Sequence, residues 1–128
     1  MSKSETFERG LEMRKSVLGA AHVERSLEAA SDFTREMQEL VTEYCWGAVW
    51  TREGLDKRTR SLINLSMLTA LNRGHELAVH VRGALTNGVS EAEIKEVLLQ
   101  TAIYCGVPAA LESFRIAEAT IREYQENA

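Results

Sequence analysis

Residues 87–108 read N-G-V-S-E-A-E-I-K-E-V-L-L-Q-T-A-I-Y-C-G-V-P, and this stretch decides the fold. Asn87-Gly88 is the signature of a helix that ends in a left-handed cap, a conformation glycine adopts without steric cost. Ser90 and Glu93 are spaced as a capping box, in which each side chain answers the other residue's backbone N–H at a helix start. An apolar run from Ile94 to Tyr104 follows and Gly106 closes it. Pro108 then stands where a first-turn proline opens another helix.

The same grammar extends outward. Toward the C-terminus, Ala110, Leu111, Phe114, Ala117, Ile121 and Tyr124 form the core stripe of a last helix. Toward the N-terminus, Gly74 separates a helix over 75–86 from one over 57–72, for which Asp56 is the candidate N-cap and Leu55 the staple. In the 57–72 helix, Leu62, Ile63, Leu65, Met67, Leu68, Ala70 and Leu71 cover most of the circumference, so it is central or lies in a subunit interface. A first helix over 5–18 carries Phe7, Leu11, Val17 and Leu18 and stops at Gly19. A short helical turn spans 22–30. A further helix starts at Ser31 or Asp32, with Phe33, Met37, Leu40, Val41 and Tyr44 as its apolar positions. It runs into the aromatic end Y-C-W-G-A-V-W from Tyr44 to Trp50. Alternating β-branched runs are scarce and there is one proline. The expectation is an all-α, single-domain bundle of about six helices over residues 1–128.

Composition bounds the function. The chain has 128 residues, 45% hydrophobic and 27% charged, as in an ordinary globular domain with one core. Its net charge of -4 argues against a nucleic-acid footprint over the whole surface. Two cysteines, Cys45 and Cys105, make neither a disulfide framework nor a C-x-x-C pair, and each lies in an apolar stretch where a reduced, buried thiol is expected. No signal-peptide core and no apolar run near the ~20 residues of a membrane span are present, so a cytoplasmic protein is expected.

The residues with chemistry concentrate in N-R-G-H-E-L-A-V-H-V-R-G-A-L-T-N-G, from Asn72 to Gly88. Glu76 and His80 are one helical turn apart, where a carboxylate can hold an imidazole's tautomer and make an acid/base pair. The same spacing fits a structural histidine at the edge of an apolar face. His75 opens that helix as a solvated residue, and His22 sits in a turn with nothing local to support a role. His75 and His80 lack the spacing of a helical zinc pair, so no metal is expected. Arg52, Lys57, Arg58 and Arg60 form a basic cluster, and Arg73 and Arg82 add two more candidates for gripping carboxylates. Trp46 and Trp50, four apart, read as core or interface anchors before substrate walls. No G-x-S-x-G elbow and no glycine-rich phosphate loop occur.

These stretches resemble the carboxymuconolactone decarboxylase family over nearly the whole chain. The resemblance is carried by V-L-G-A-A-H-V from Val17, Y-C-W-G-A-V-W-T-R from Tyr44, G-L-D-K-R-T-R-S-L from Gly54, A-L-N-R-G-H-E-L-A-V-H-V-R-G-A-L-T-N-G from Ala70 and E-I-K-E-V-L-L-Q-T-A-I-Y-C-G-V-P-A-A from Glu93. It implies the all-α fold shared with alkylhydroperoxidase D-like proteins. Aligned on the histidine of that relative's C-x-x-C-x-x-x-H motif, this chain keeps His80 but has Arg73 and Glu76 where the cysteines stand. The upstream glutamate of the peroxidase-type site falls on Ser61. Thiol redox chemistry is therefore lost, and the decarboxylase branch fits better.

The activity so implied is loss of carbon dioxide from 4-carboxymuconolactone, in protocatechuate catabolism, giving β-ketoadipate enol-lactone. The lactone is its own electron sink, so no cofactor is expected. His80 is implied as hydrogen-bond donor or acid, with Glu76 orienting it. Arg60, Arg73 or Arg82 would hold the surviving carboxylate, Arg58 ranking lower, and Trp46 or Trp50 would line an apolar pocket for the departing one. His22 is the reserve candidate for the acid. The expected partners are the dicarboxylate lactone and further copies of this chain, as a homo-oligomer built as a hexamer, a trimer of dimers. Neither nucleic acid nor membrane is expected as a partner. Two other readings stay open: a related decarboxylase or peroxidase-like enzyme on the same fold, and a non-catalytic oligomeric binder of an anionic metabolite.

Overall fold

A computed structural model describes residues 4–128. They form helices joined by short turns, with no strand among the described residues. Among the described residues, no helix is long and apolar enough to cross a membrane. Packing divides the chain into two compact units that meet in sequence between Asp56 and Lys57. Each has its own apolar cluster, where the sequence alone reads a single core.

The first unit holds α1 (Glu5–Leu18), α2 (Ala20–Glu28), α3 (Arg35–Leu40) and a π-helical segment, Val41–Trp50. Ser4 caps α1 by accepting the Phe7 N–H, and Gly19 ends it at φ 90°, a left-handed value that suits glycine. The π-helical segment packs mainly on α1, and two glycines make the approach close. A Cβ added to Gly10 would lie 2.0 Å from the Thr42 carbonyl oxygen, and one added to Gly47 would lie 2.3 Å from the Thr6 carbonyl oxygen. Arg14 is buried in the same seam, donating to Thr42 Oγ1 and Gln38 Oε1 at 3.0 Å each.

This seam overturns the reading of residues 31–50. The helix begins at Arg35, not at Ser31 or Asp32, because Ser31 and Thr34 close a turn of their own. Most of its apolar stripe also faces out: Phe33, Met37, Leu40 and Tyr44 are exposed, and Val41 alone of the five packs against the core cluster. Thr42, Trp46, Gly47 and Trp50 take the inner face instead. The close glycine approach and the hydrogen bonds to Arg14 outweigh the apolar periodicity. The chain winds there with the wider i→i+5 pattern of a π-helix, unlike the continuous α-helix expected.

The second unit holds α4 (Lys57–Ala70), α5 (Gly74–Thr86), α6 (Glu91–Cys105) and α7 (Val107–Glu126). Its core joins Leu65 of α4, Leu77, Val81 and Ala84 of α5, Ile94 and Leu98 of α6, and Ala117 and Ile121 of α7. The capping box at Ser90 and Glu93 forms as its spacing requires. Gly88 adopts φ 90°, and the N–H groups of Gly88 and Val89 close back on the Leu85 and Ala84 carbonyls.

The turn between α4 and α5 repeats that geometry with a different residue. Asn72, not Gly74, takes the left-handed conformation, at φ 59°. The N–H groups of Asn72 and Arg73 return to the Thr69 and Leu68 carbonyls. Asparagine tolerates this region better than other side chains do. Gly74 serves a different need: a Cβ there would meet Ile116 Cδ1 of α7 at 2.9 Å. Leu111, assigned to the α7 core stripe, is exposed. So are Cys45 and Cys105, against the expectation of buried thiols, because both lie off the inner face of their helices.

Gly47→Ala should lower unfolding free energy by about 3 kcal/mol, since the intruding methyl meets backbone that cannot rotate away. Gly54→Ala, with open space around it, should stay within about 0.5 kcal/mol of wild type. Urea denaturation of the two variants tests the seam.

Candidate active site

α4 and α5 run side by side as a tight hairpin, and this sets the candidate site. Leu65 on α4 and Val81 on α5 are both fully buried. Their preceding residues, Asn64 and His80, are half-buried beside them. Asn64 Nδ2 lies 3.4 Å from His80 Nδ1. Arg60 stands one turn before Asn64 on the same side of α4, also half-buried. Asn64, His80 and Arg60 thus place an amide, an imidazole and a guanidinium on neighbouring faces of one hairpin.

Asn64 is the residue that sequence reasoning missed. Glu76, expected to orient His80, is exposed, and the hydrogen bond at Nδ1 goes to Asn64 across the hairpin. A signal was present: Asn64 is a polar residue flanked by Ile63 and Leu65 on α4, on the same side as Arg60. Nothing in the sequence said that α5 would bring a histidine to it.

The arginines separate. Arg58 is ion-paired with Glu93, the capping-box glutamate of α6. Arg73 is exposed and donates to the Leu71 carbonyl at 3.1 Å, at the end of α4. Arg82 lies with Glu123, Tyr124 and Asn127 at the end of α7. Two residues beyond His80, it faces away from it on the helix. Ser61 is buried and accepts from Asn87 Nδ2 at 3.0 Å. His75 is exposed.

The remaining candidates belong to the first unit. Trp46 and Trp50 stack with ring centroids 4.6 Å apart and planes at 27°. Both are buried with Val17 in the core cluster of that unit, so they serve there as packing anchors. His22 is half-buried on α2, where its carbonyl accepts from Ser26 Oγ at 3.1 Å. Burial lowers the pKa of the Arg14 guanidinium from its ordinary value, as expected for a cation whose hydrogen-bond partners are neutral.

Besides the pocket at Arg82, grooves open between the helices of the second unit. One, of ≈ 330 Å³, runs between α4 and α6 past Ile63, Ser66, Val97, Tyr104 and Cys105. The other, of ≈ 500 Å³, runs between α6 and α7 over Ile94, Leu98, Phe114 and Ile121. Neither is lined by His80, Arg60, Arg73 or Arg82. Among the described residues, no group of three His, Cys, Asp or Glu side chains is placed to hold a metal ion.

A model of the carboxymuconolactone decarboxylase family matches residues 35–119. The chain belongs to this family. Asn64, Glu76, His80, Arg58, Arg60, Arg73 and Arg82 lie inside the matched span, and His22 lies outside it. Among curated family relatives, the 4-carboxymuconolactone decarboxylase of Acinetobacter baylyi is 40% identical over 123 residues, covering 96% of this chain and 92% of the relative. The nitrosuccinic acid decarboxylase npaB of Metarhizium robertsii is 45% identical over 117 residues, covering 91% of this chain and 82% of the relative. The fold expected from the resemblance, all-α and alkylhydroperoxidase D-like, is the fold of this family member.

Trp50→Ala should cost about 3–4 kcal/mol of stability through the cavity it leaves in the first unit's core. Chemical denaturation measures that cost. A loss below about 1 kcal/mol would return Trp50 to the list of substrate-facing residues.

Proposed function

We propose that this chain is a cofactor-free carboxy-lyase that converts 4-carboxymuconolactone into β-ketoadipate enol-lactone in protocatechuate catabolism. The observation that carries this reading is the 40% identity to a 4-carboxymuconolactone decarboxylase across 96% of the chain. The hairpin carrying His80, Asn64 and Arg60 supplies suitable groups.

The chemistry follows from the substrate. One carboxylate sits on the ring carbon bonded to the lactone oxygen, and the ring double bond conjugates that carbon to the lactone carbonyl. When the C–C bond to carbon dioxide breaks, its electron pair moves through the double bond onto the carbonyl oxygen. The resulting dienolate takes a proton at the carbon next to the carbonyl. The protein must hold the surviving carboxylate, donate to the growing oxyanion and leave the departing carboxylate poorly solvated. In our reading, Arg60 holds the surviving carboxylate by a charge-assisted pair. His80 serves as the donor to the oxyanion or as the acid.

A second reading has its own support in the 45% identity to the nitrosuccinic acid decarboxylase. Nitrosuccinic acid and the lactone have a common chemical logic. Each is a small dicarboxylic acid in which one carboxylate sits beside an electron sink, a nitro group in one and an unsaturated lactone in the other. The same donor and cation would serve either.

We also propose that the chain works as a cytoplasmic homo-oligomer, a hexamer arranged as a trimer of dimers, with a small anionic substrate as partner and no nucleic acid or membrane. Ile63 and Met67 on α4 and Leu71 just after it form an exposed apolar stripe, and Phe33, Met37, Leu40 and Tyr44 form another in the first unit. Contiguous apolar surface of this kind favours self-association.

The lactone, generated in situ because it is labile, should lose carbon dioxide far faster with the protein than without it. His80→Gln should slow turnover by roughly a hundredfold or more. Arg60→Ala should raise KM about tenfold or more, the worth of one charge-assisted hydrogen bond. Absence of acceleration on the lactone, with acceleration on nitrosuccinic acid, would select the second reading. Absence on both would sink the carboxy-lyase.

Sedimentation at micromolar concentration should show an assembly larger than a monomer, shifted to smaller species by Met67→Glu. A monomeric wild type would overturn the oligomer.

A further inference from the structure

We infer that Asn64 is a positioning residue that holds the proton of His80 on Nε2, making the imidazole a neutral hydrogen-bond donor. This rests on the reading of His80 as a participant in decarboxylation, and it decides between the donor and acid roles left open there.

The argument starts from the atoms. Asn64 presents its amide nitrogen to His80 Nδ1 at 3.4 Å. An amide nitrogen donates and does not accept, so Nδ1 must offer its lone pair. In a neutral imidazole the proton then resides on Nε2. Formation of the imidazolium would put a second N–H against the Asn64 amide protons, so this contact opposes it. Glu76, had it been the partner, would have done the opposite: a carboxylate accepts from Nδ1–H and favours the charged ring. The exchange of carboxylate for amide therefore changes what His80 is built to do.

The hairpin gives this contact little freedom. Asn64 directly precedes fully buried Leu65, and His80 directly precedes fully buried Val81. The left-handed turn at Asn72 closes α4 onto α5 through the Asn72 and Arg73 N–H groups. Rotating either helix to separate the pair would drag a buried aliphatic out of the core. Both polar side chains are half-buried, which limits competition from water. A dienolate oxygen needs an N–H aimed at it, and the other tautomer would face it with a lone pair.

The experiment is nitrogen NMR on the full chain labelled with ¹⁵N-histidine, with the His80 ring assigned by its loss in His80→Gln. The expected signature is a protonated, pyrrole-type Nε2 and an unprotonated, pyridine-type Nδ1. A protonated Nδ1 in the wild type would overturn the inference, because Asn64 would then be accepting through Oδ1. Asn64→Asp, nearly isosteric and able only to accept as a carboxylate, should move the proton onto Nδ1. It should also lower kcat on the lactone by about a hundredfold, with KM within about threefold. An unchanged ring signature in Asn64→Asp, or a changed signature with unchanged kcat, would each overturn the positioning role. The two readings fail separately. A wild type without decarboxylase activity removes the proposed reaction, while the spectrum still decides where Asn64 puts the proton.

Discussion

The left-handed turn at Asn72 is the constraint on which the second unit's candidate site depends. Its two return hydrogen bonds end α4 and reverse the chain within a few residues. Asn64 and His80 stand equally far along the chain on either side of Asn72, so the turn brings them to the same level of the hairpin. The register is reinforced by the core, where Leu65 meets the cluster containing Leu77 and Val81. A turn with a longer loop, or a helix continuing through Asn72, would leave His80 facing a different residue of α4.

The first unit solves a different problem. Gly10 and Gly47 let two helical backbones approach more closely than any side chain would permit. The guanidinium of Arg14 fills the next part of the seam, with its two terminal nitrogens donating to Thr42 and Gln38 and its buried Nε left without a partner. Burying a cation with neutral partners is costly, and its lowered pKa reflects that cost. The compensation is specificity. Once Arg14 is inside, the helix from Arg35 onward must present Gln38 and Thr42 to it. Trp46 and Trp50 then follow on the inner side and stack.

For the candidate chemistry, a histidine held by an amide differs from one held by a carboxylate. The first favours a neutral ring that donates from Nε2, and the second favours a charged acid. A substrate whose electrons end on an oxygen has use for the former. Ser61 serves as a buried acceptor for Asn87, while Arg73 and Glu76 are exposed.

Local signals settled most of the helices. Ser90 and Glu93, Gly88, Gly19, Gly106 and Pro108 act through their own backbone and nearest neighbours, so their meaning is legible without a partner. Family membership was legible for the same reason, since it depends on the order of short motifs. Three features needed tertiary structure. The face buried by residues 35–50 was decided by Arg14 and two glycines against the direction of the apolar stripe. The left-handed residue of the α4–α5 turn was Asn72, where the return hydrogen bonds to α4 close, while Gly74 opens α5 beside Ile116. The partner of His80 was Asn64 and not Glu76, because a hydrogen bond between helices depends on how they pack, while sequence spacing reports only neighbours along one helix.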